Sequence, residues 1–531
     1  MFRHRLSTRS SAARMIREEA TALAARRPDP DHLNNGEEAE FHNAAGLNYI
    51  ANFSKGLHHN AVGEVVPGDY QALLRALYSG NPDHFEQIPL GTVGGRKLNN
   101  PQAGLAFDLE GPDAQSLTIP PAPRIDSPEE SGEIAELYWM ALCRDIHFNA
   151  YTAAPPLITQ AALSLSEPSV PGGEMSHFRG PKVGNAVTPA TLFRGVGPGV
   201  LAGPYLSQFL LKDIPYGTLL VEQRQLTVNA GTDFLTTFPA WLNTQNGVPL
   251  IGPASQPVPG PQRRYIRNLR DLATYVHFDA LYEAYLNACL ILLAMTPPNP
   301  PFDPGNPYVR SRTQDGFGTF GGPHILSLVT EVATRALKAV WFQKWGVHRR
   351  LRPEEFGGLI HVHLVQNPGR YPMIDQEILN SLQAGLLSAH FPGAFGTFLL
   401  PQAFAEGCPL HPAYGAGHAT VAGACVTILK AWFDESFVIP NPVVPNNAGT
   451  ALQAAPPGPP LTVGGELNKL AANIALGRNG AGVHWRSDYT ESIKLGEAIA
   501  IGILEEQSLT YNEDYYLTLT KFDGSAITIG R

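Results

Sequence analysis

The chain has 531 residues, with 38 Lys and Arg against 47 Asp and Glu, and a formal net charge of −9. Charged residues, 16% of the total, fall well below the usual share of about 25%, and 44% hydrophobic residues supply a large core, which excludes disorder as the main state. A mildly acidic chain also lacks the basic footprint that nucleic-acid binding needs.

The opening stretch, Met1 to Ala20, is basic but contains no apolar run, so it reads as an amphipathic helix rather than a secretory signal, with a cytoplasmic compartment expected. Ile134 to Phe148 carries Ile134, Leu137, Tyr138, Ala141 and Leu142 at helical spacing. Gly217 to Val228 reads as a short hairpin. Leu269 to Met295 reads as one long helix stopped by Pro297 and Pro298. Further helices are expected over Ile325–Trp345, His418–Trp432 and Tyr489–Glu505. A hairpin turning at Asp523-Gly524 is expected over Tyr516–Ile529.

Pro-rich connectors run through Val248–Pro261, Pro297–Pro307 and Pro440–Pro460. The strongest apolar run, Leu286 to Met295, contains Asn287 and falls short of the roughly 20 residues that span a bilayer, so no transmembrane segment is expected. Cys143, Cys289, Cys408 and Cys425 form no CxxC pair and read as free buried thiols. The fold class that follows is mainly α: helical bundles with long Pro-rich loops and a few short β-hairpins. Residues 1–531 form a single domain in this reading, with a catalytic helical core from about 265 to 510.

Three segments in the last 190 or so residues gather cations, glycine and histidine at helix ends. The first runs from Lys344 to Pro353 and includes Arg352. Basic residues there either complement a helix C-terminus or face a ligand. The second is His411-Pro-Ala-Tyr-Gly-Ala-Gly417-His418, just before an apolar run. It is either a tight turn or a set of backbone N–H groups open to an anion. The third, Arg478 to Asp488, contains His484, read as a core histidine or a ligand-facing one, and ends where Asp488 and Glu491 resemble an N-terminal capping pair. Taken together, Lys344, Arg352 and Arg478 supply positive charge, Gly417 a backbone donor, and His418 and His484 two imidazoles. That set suits a tetrahedral oxyanion and not a divalent cation.

The order Lys344-x7-Arg352-Pro353, Gly415-Ala-Gly417-His418 and Arg478-x5-His484-x3-Asp488 resembles the vanadium-dependent haloperoxidases, whose oxyanion motif is shared with the type 2 phosphatidic acid phosphatases. The eight-position step from Lys344 to Arg352 is similar to the algal bromoperoxidases. Looser similarity to red-algal and cyanobacterial members covers Asn48–Leu57 and Val276–Tyr282. The resemblance implies vanadate as cofactor, with phosphate as an alternative occupant. His484 would be the vanadium ligand, Lys344, Arg352 and Arg478 would neutralise the oxyanion, and Gly417 would donate a backbone hydrogen bond. His418 would be the acid–base group, and Lys344 would also polarise peroxide. His411 stands where bromide-oxidising relatives carry histidine, which implies bromide or iodide in preference to chloride. Hydrogen peroxide, halide and a small organic acceptor are the implied partners, along with a homo-oligomer between dimer and dodecamer.

Asp279 is read either as a partner for Arg352 or as an exposed or helix-capping aspartate. The stretch Phe302–Phe320, with Gln314 and Asp315, is read as the place for the structural calcium of some red-algal relatives, and Trp341, Phe342 and Trp345 as core and channel wall. One departure stands out: the family's Pro-Ser-Gly-His is here Gly415-Ala416-Gly417-His418, which removes a hydroxyl from the oxyanion site. Two other readings use the same residues: a soluble phosphatase working through a phosphohistidine at His484, and an inactive oxyanion-binding relative.

Overall fold

Local chemistry sets where the helices of the computed structural model begin; it describes residues 2–27, 29–42, 48–249, 263–296 and 300–530. The first long internal helix covers Pro128–Cys143, starting six residues earlier than its apolar stripe, because Ser127 accepts from Glu130 N and Pro128 occupies the first turn. The expected helix over Leu269–Met295 is two helices, Leu269–Phe278 and Glu283–Ala294, bent by 99°. Asp279 breaks it by adopting an extended conformation (φ −61°, ψ 143°). Gly322–Trp341 follows and runs directly into a π-helical turn, Phe342–His348. Arg349 then turns the chain in the left-handed region at φ 45° before Pro353–His361 begins.

The helix Gly417–Trp432 lies at the centre of the bundle, against Gly322–Trp341, Val463–Gly480 and Arg486–Ser508. Its crossing with Arg486–Ser508 is close enough that a Cβ on Gly423 would sit 2.1 Å from Ile493 O, and one on Gly496 2.0 Å from Thr420 O. Val463–Gly480 was not visible as an amphipathic pattern. Almost every residue of it is buried, so it has no polar face to set off an apolar stripe. One apolar core runs from Phe41 to Ile529.

Strands are few and short. The first hairpin pairs Ile214–Tyr216 with Leu219–Val221 about Gly217 (φ 61°), so it begins before and ends well short of the expected Gly217–Val228. A second, Val443–Pro445 with Leu452–Ala454, lies inside the stretch read only as a Pro-rich connector. The C-terminal hairpin pairs Tyr516–Thr520 with Ala526–Gly530, and Asp523 and Gly524 lie in its turn. Residues 250–261 of the Val248–Pro261 connector and 297–299 of Pro297–Pro307 lie outside the described residues. Phe2–Ala25 is helical, as read; residues 8–25 are mostly exposed, and the half-buried positions Ala13, Ile16, Ala20, Leu23 and Ala24 recur along one face. All four cysteines are buried free thiols. Among the described residues no single helix is long and apolar enough to cross a membrane. The pair around Asp279 passes that test only when taken together.

Candidate active site

The three motifs converge where the π-helical turn, the loop before Gly417 and the end of Val463–Gly480 meet. The wide turn at 342–348 projects Lys344 inward, where it is fully buried and its Nζ donates to Pro412 O (2.8 Å) and Ala413 O (3.0 Å). Arg352 precedes Pro353 and is also fully buried. Glu355 fixes its backbone, accepting from Arg352 N at 2.7 Å. Its guanidinium joins the other two motifs. Nε donates to His411 O (2.8 Å), Nη1 to Val483 O (2.7 Å) and His484 Nε2 (3.0 Å), and Nη2 to His411 Nδ1 (2.8 Å). Arg478, near the end of its helix, donates to Val276 O at 2.7 Å and lies over the Phe404 ring, and its buried Nε has no partner among the described residues.

Arginine donates only, so His484 Nε2 presents its lone pair and its proton sits on Nδ1, 2.7 Å from Asp488 Oδ2. By the same logic His411 accepts at Nδ1. Its ring lies 4.8 Å from that of Trp341, which is partly exposed, whereas Trp345 is core. Asp279 does not pair with Arg352. The kink places it against His418, whose Nε2 donates to Asp279 Oδ1 at 3.0 Å. Gly417 and His418 open the central helix, and their N–H groups find no acceptor among the described residues. A Cβ on Gly415 would fall 2.2 Å from Ser492 Oγ, which accepts from Ala416 N at 2.8 Å, so a larger residue there would have to displace that side chain.

Electrostatically the site is an uncompensated positive hole. Burial, followed by the charge of Arg352, holds Lys344, His411 and His484 well below their ordinary values and brings Arg478 down to about 10. Burial also lowers His418, with Asp279 acting in the opposite direction. Among the described residues no carboxylate lies within salt-bridge distance of Lys344, Arg352 or Arg478. The buried cations Lys55, Arg144, Arg350 and Arg486 each have one. Buried charges are ordinarily paired, and an anion in this pocket would supply the missing partner.

The sequence reading missed the support behind this pocket. Glu130, Glu133 and Glu136, on one face of Pro128–Cys143, are fully buried against Arg350, Ser487 and Arg486. Glutamates three apart at 130, 133 and 136, on one face of a helix whose second half is apolar, were the available signal. Lys55, in the loosely similar Asn48–Leu57 segment, is bound to Glu354 at 2.7 Å and to the carbonyls of Glu406 and Cys408. Gln314 and Asp315 are exposed, and no group of three or more His, Cys, Asp or Glu among the described residues is placed to hold a metal ion, so this stretch gains no support as a calcium site.

The family model of the VCPO second helical-bundle domain matches residues 397–512. The vanadium-dependent bromoperoxidases of Corallina officinalis and Corallina pilulifera are each 42% identical, with 99% of either chain covered. That of Ascophyllum nodosum is 34% identical over 94% of this chain and 88% of its own. Among solved structures, the homohexameric second vanadate-dependent bromoperoxidase of Ascophyllum nodosum superposes with a TM-score of 0.88 at 31% identity, covering 99% of this chain and 91% of that one.

Proposed function

The chain belongs to the vanadium-dependent haloperoxidases, and from that premise we propose that it is a bromoperoxidase, an oxidoreductase that uses hydrogen peroxide to oxidise bromide or iodide for transfer to small organic acceptors. The observation that carries this reading is the trio of buried cations, Lys344, Arg352 and Arg478, with no carboxylate in salt-bridge contact with them among the described residues.

Vanadate fits this donor set. Arg352 and Arg478 offer guanidinium forks, Lys344 a point charge and Gly417 a free N–H at a helix N-terminus. His484 offers a lone pair on Nε2, oriented through Nδ1–H by Asp488. When bound, vanadate would supply the Lewis acidity that activates hydrogen peroxide toward halide.

The protein's own residues do the rest. Arg352 spans His411 and His484 and so fixes the width of the pocket between them. His418, held through Nε2 by Asp279, keeps Nδ1 as the basic nitrogen for taking a proton from an incoming hydroperoxide. Lys344, whose ammonium is costly to bury, is the residue we assign to polarising an oxygen placed beside it. His411, neutral and beside Trp341, forms the more open wall and is the residue we assign to selecting bromide or iodide over chloride.

The helical core from about 265 to 510 holds every residue named here, within what we take as one domain. Phosphate shares vanadate's shape and charge and competes for the site. The homohexameric Ascophyllum nodosum relative supports a homo-oligomer. The identity of the Corallina relatives favours a haloperoxidase over a phosphatase or an inactive oxyanion binder. The deciding experiment is bromide-dependent halogenation of a phenolic dye with hydrogen peroxide, after dialysis against orthovanadate and, in parallel, against phosphate. Activity in the vanadate sample alone is expected. No halogenation in either refutes the proposal.

A further inference from the structure

Behind His484 lies a buried ionic cluster centred on Arg350. Arg350 is 2% exposed and lies over the Trp485 ring, 4.7 Å from its centroid. Its Nη1 donates to Ser487 Oγ (2.7 Å) and Asp488 Oδ1 (3.1 Å). Its Nη2 donates to Glu133 Oε2 (3.1 Å) and, at closer range, to Glu130 Oε2. Glu133 also accepts from Ser487 N (2.9 Å) and Ser487 Oγ (2.8 Å). The Arg350 carbonyl accepts from Ala413 N at 3.0 Å, in the loop that binds Lys344.

The two oxygens of Asp488 are therefore divided. Oδ2 takes the His484 Nδ1 proton and the Trp485 N–H, while Oδ1 faces Arg350. A carboxylate anchored at one oxygen cannot rotate the other away from the imidazole. Arg350 is in turn immobilised by Glu130 and Glu133, which lie more than 200 residues away in sequence and outside the motifs.

From this geometry we infer that Arg350, clamped by Glu130 and Glu133, is a positioning residue that fixes the tautomer and direction of His484 through Asp488. The inference rests on His484 being the vanadate ligand. Glu136 makes the matching bond to Arg486 one turn along the same helix but, among the described residues, has no hydrogen bond or ion pair with Asp488. It therefore contributes to the fold of this region without steering His484, and serves as a control.

Phosphate and vanadate meet the same cations, but only vanadate gains a bond to His484. Dissociation constants of orthovanadate and inorganic phosphate, measured by equilibrium dialysis on the full-length protein, separate positioning from general stability. Arg350→Lys and the near-isosteric Glu130→Gln are expected to weaken vanadate binding about 10- to 100-fold, the range for lost outer-shell partners of a metal ligand, with phosphate binding unchanged and the bound vanadium NMR resonance shifted. Glu136→Gln is expected to leave the ratio of the two constants at the wild-type value. Parallel loss of both anions, or unchanged vanadate affinity in Glu130→Gln, overturns the inference. If His484→Ala and wild type bind vanadate equally, the assignment of His484 as ligand fails instead.

Discussion

Restoring a serine at Ala416 tests the oxyanion reading and the helix geometry together. Ala416 is the N-cap of Gly417–Trp432, with β-region dihedrals (φ −83°, ψ 127°), 2% exposure and no side-chain cap. A serine hydroxyl there has two separate uses. Its lone pair can accept from Ala419 N–H in the first turn, which typically stabilises by about 1 kcal/mol. Its proton remains available to an oxygen of the bound anion, and a hydrogen bond to a charged group contributes about 1.5–3 kcal/mol. At about 1.4 kcal/mol per decade, the second effect tightens vanadate binding roughly tenfold to a hundredfold. The backbone need not move, since Ala416 N–H already donates to Ser492 Oγ at 2.8 Å. Two measurements follow: a vanadate titration of Ala416→Ser against wild type, and thermal melts of both without vanadate. An unchanged vanadate dissociation constant refutes the placement of position 416 beside the anion. An unchanged melting temperature refutes the capping argument.

Removing the His418 imidazole (His418→Ala) should lower kcat for bromide oxidation by about 10²–10⁴-fold, the usual worth of general acid–base catalysis. Asp279→Asn, which keeps the 3.0 Å contact but not the charge, should fall between that variant and wild type, with vanadate affinity changed far less than kcat. Equal activity of Asp279→Asn and wild type in steady-state assays would show that Asp279 has no role.

A different prediction concerns acid stability. Burial, then Arg349 and Arg350, pushes His348 down to about 3, and neither of its ring nitrogens has a partner among the described residues. As pH falls below about 6.5 the unfolded chain binds a proton that the native state refuses, so stability is lost progressively down to the native pKa, by ~2 kcal/mol at about pH 5. His348→Phe should flatten the acid limb of a melting-temperature profile, and an identical limb counts against the argument. Finally, Lys55→Met leaves Glu354 buried without its cation and should destabilise the protein by ~3–5 kcal/mol. The double variant Lys55→Met/Glu354→Gln should recover part of that loss in thermal unfolding.

The chemistry was legible in the sequence because the ligand-facing residues cannot be exchanged freely. A pocket for a tetrahedral anion needs guanidinium forks, an ammonium, backbone donors at a helix start and imidazoles. Lys344, Arg352, Gly417, His418, Arg478 and His484 stand in three short segments whose spacing records that need. Helices with one solvated face, such as Gly322–Trp341, were legible for a similar reason, since their period is written in apolar and polar alternation. Where that contrast vanishes, the sequence reading fails. Val463–Gly480 is buried on all sides and shows no stripe, although it delivers Arg478.

What only the tertiary structure decided are the pairings. Leu269–Met295 reads as one helix because its period is continuous, but Asp279 leaves the helical conformation, the chain bends by 99°, and the carboxylate meets His418 Nε2 at 3.0 Å. That same bend moved Asp279 away from Arg352. The glutamates at 130, 133 and 136 look, in one dimension, like a solvated helix face. Packing makes them the buried counter-charges of Arg350 and Arg486, because a charge taken out of water must find its opposite wherever the fold brings one, however far along the chain. Sequence determined which groups meet the anion, through their chemistry. Tertiary structure decided which groups hold them, because desolvation is a property of packing and not of spacing.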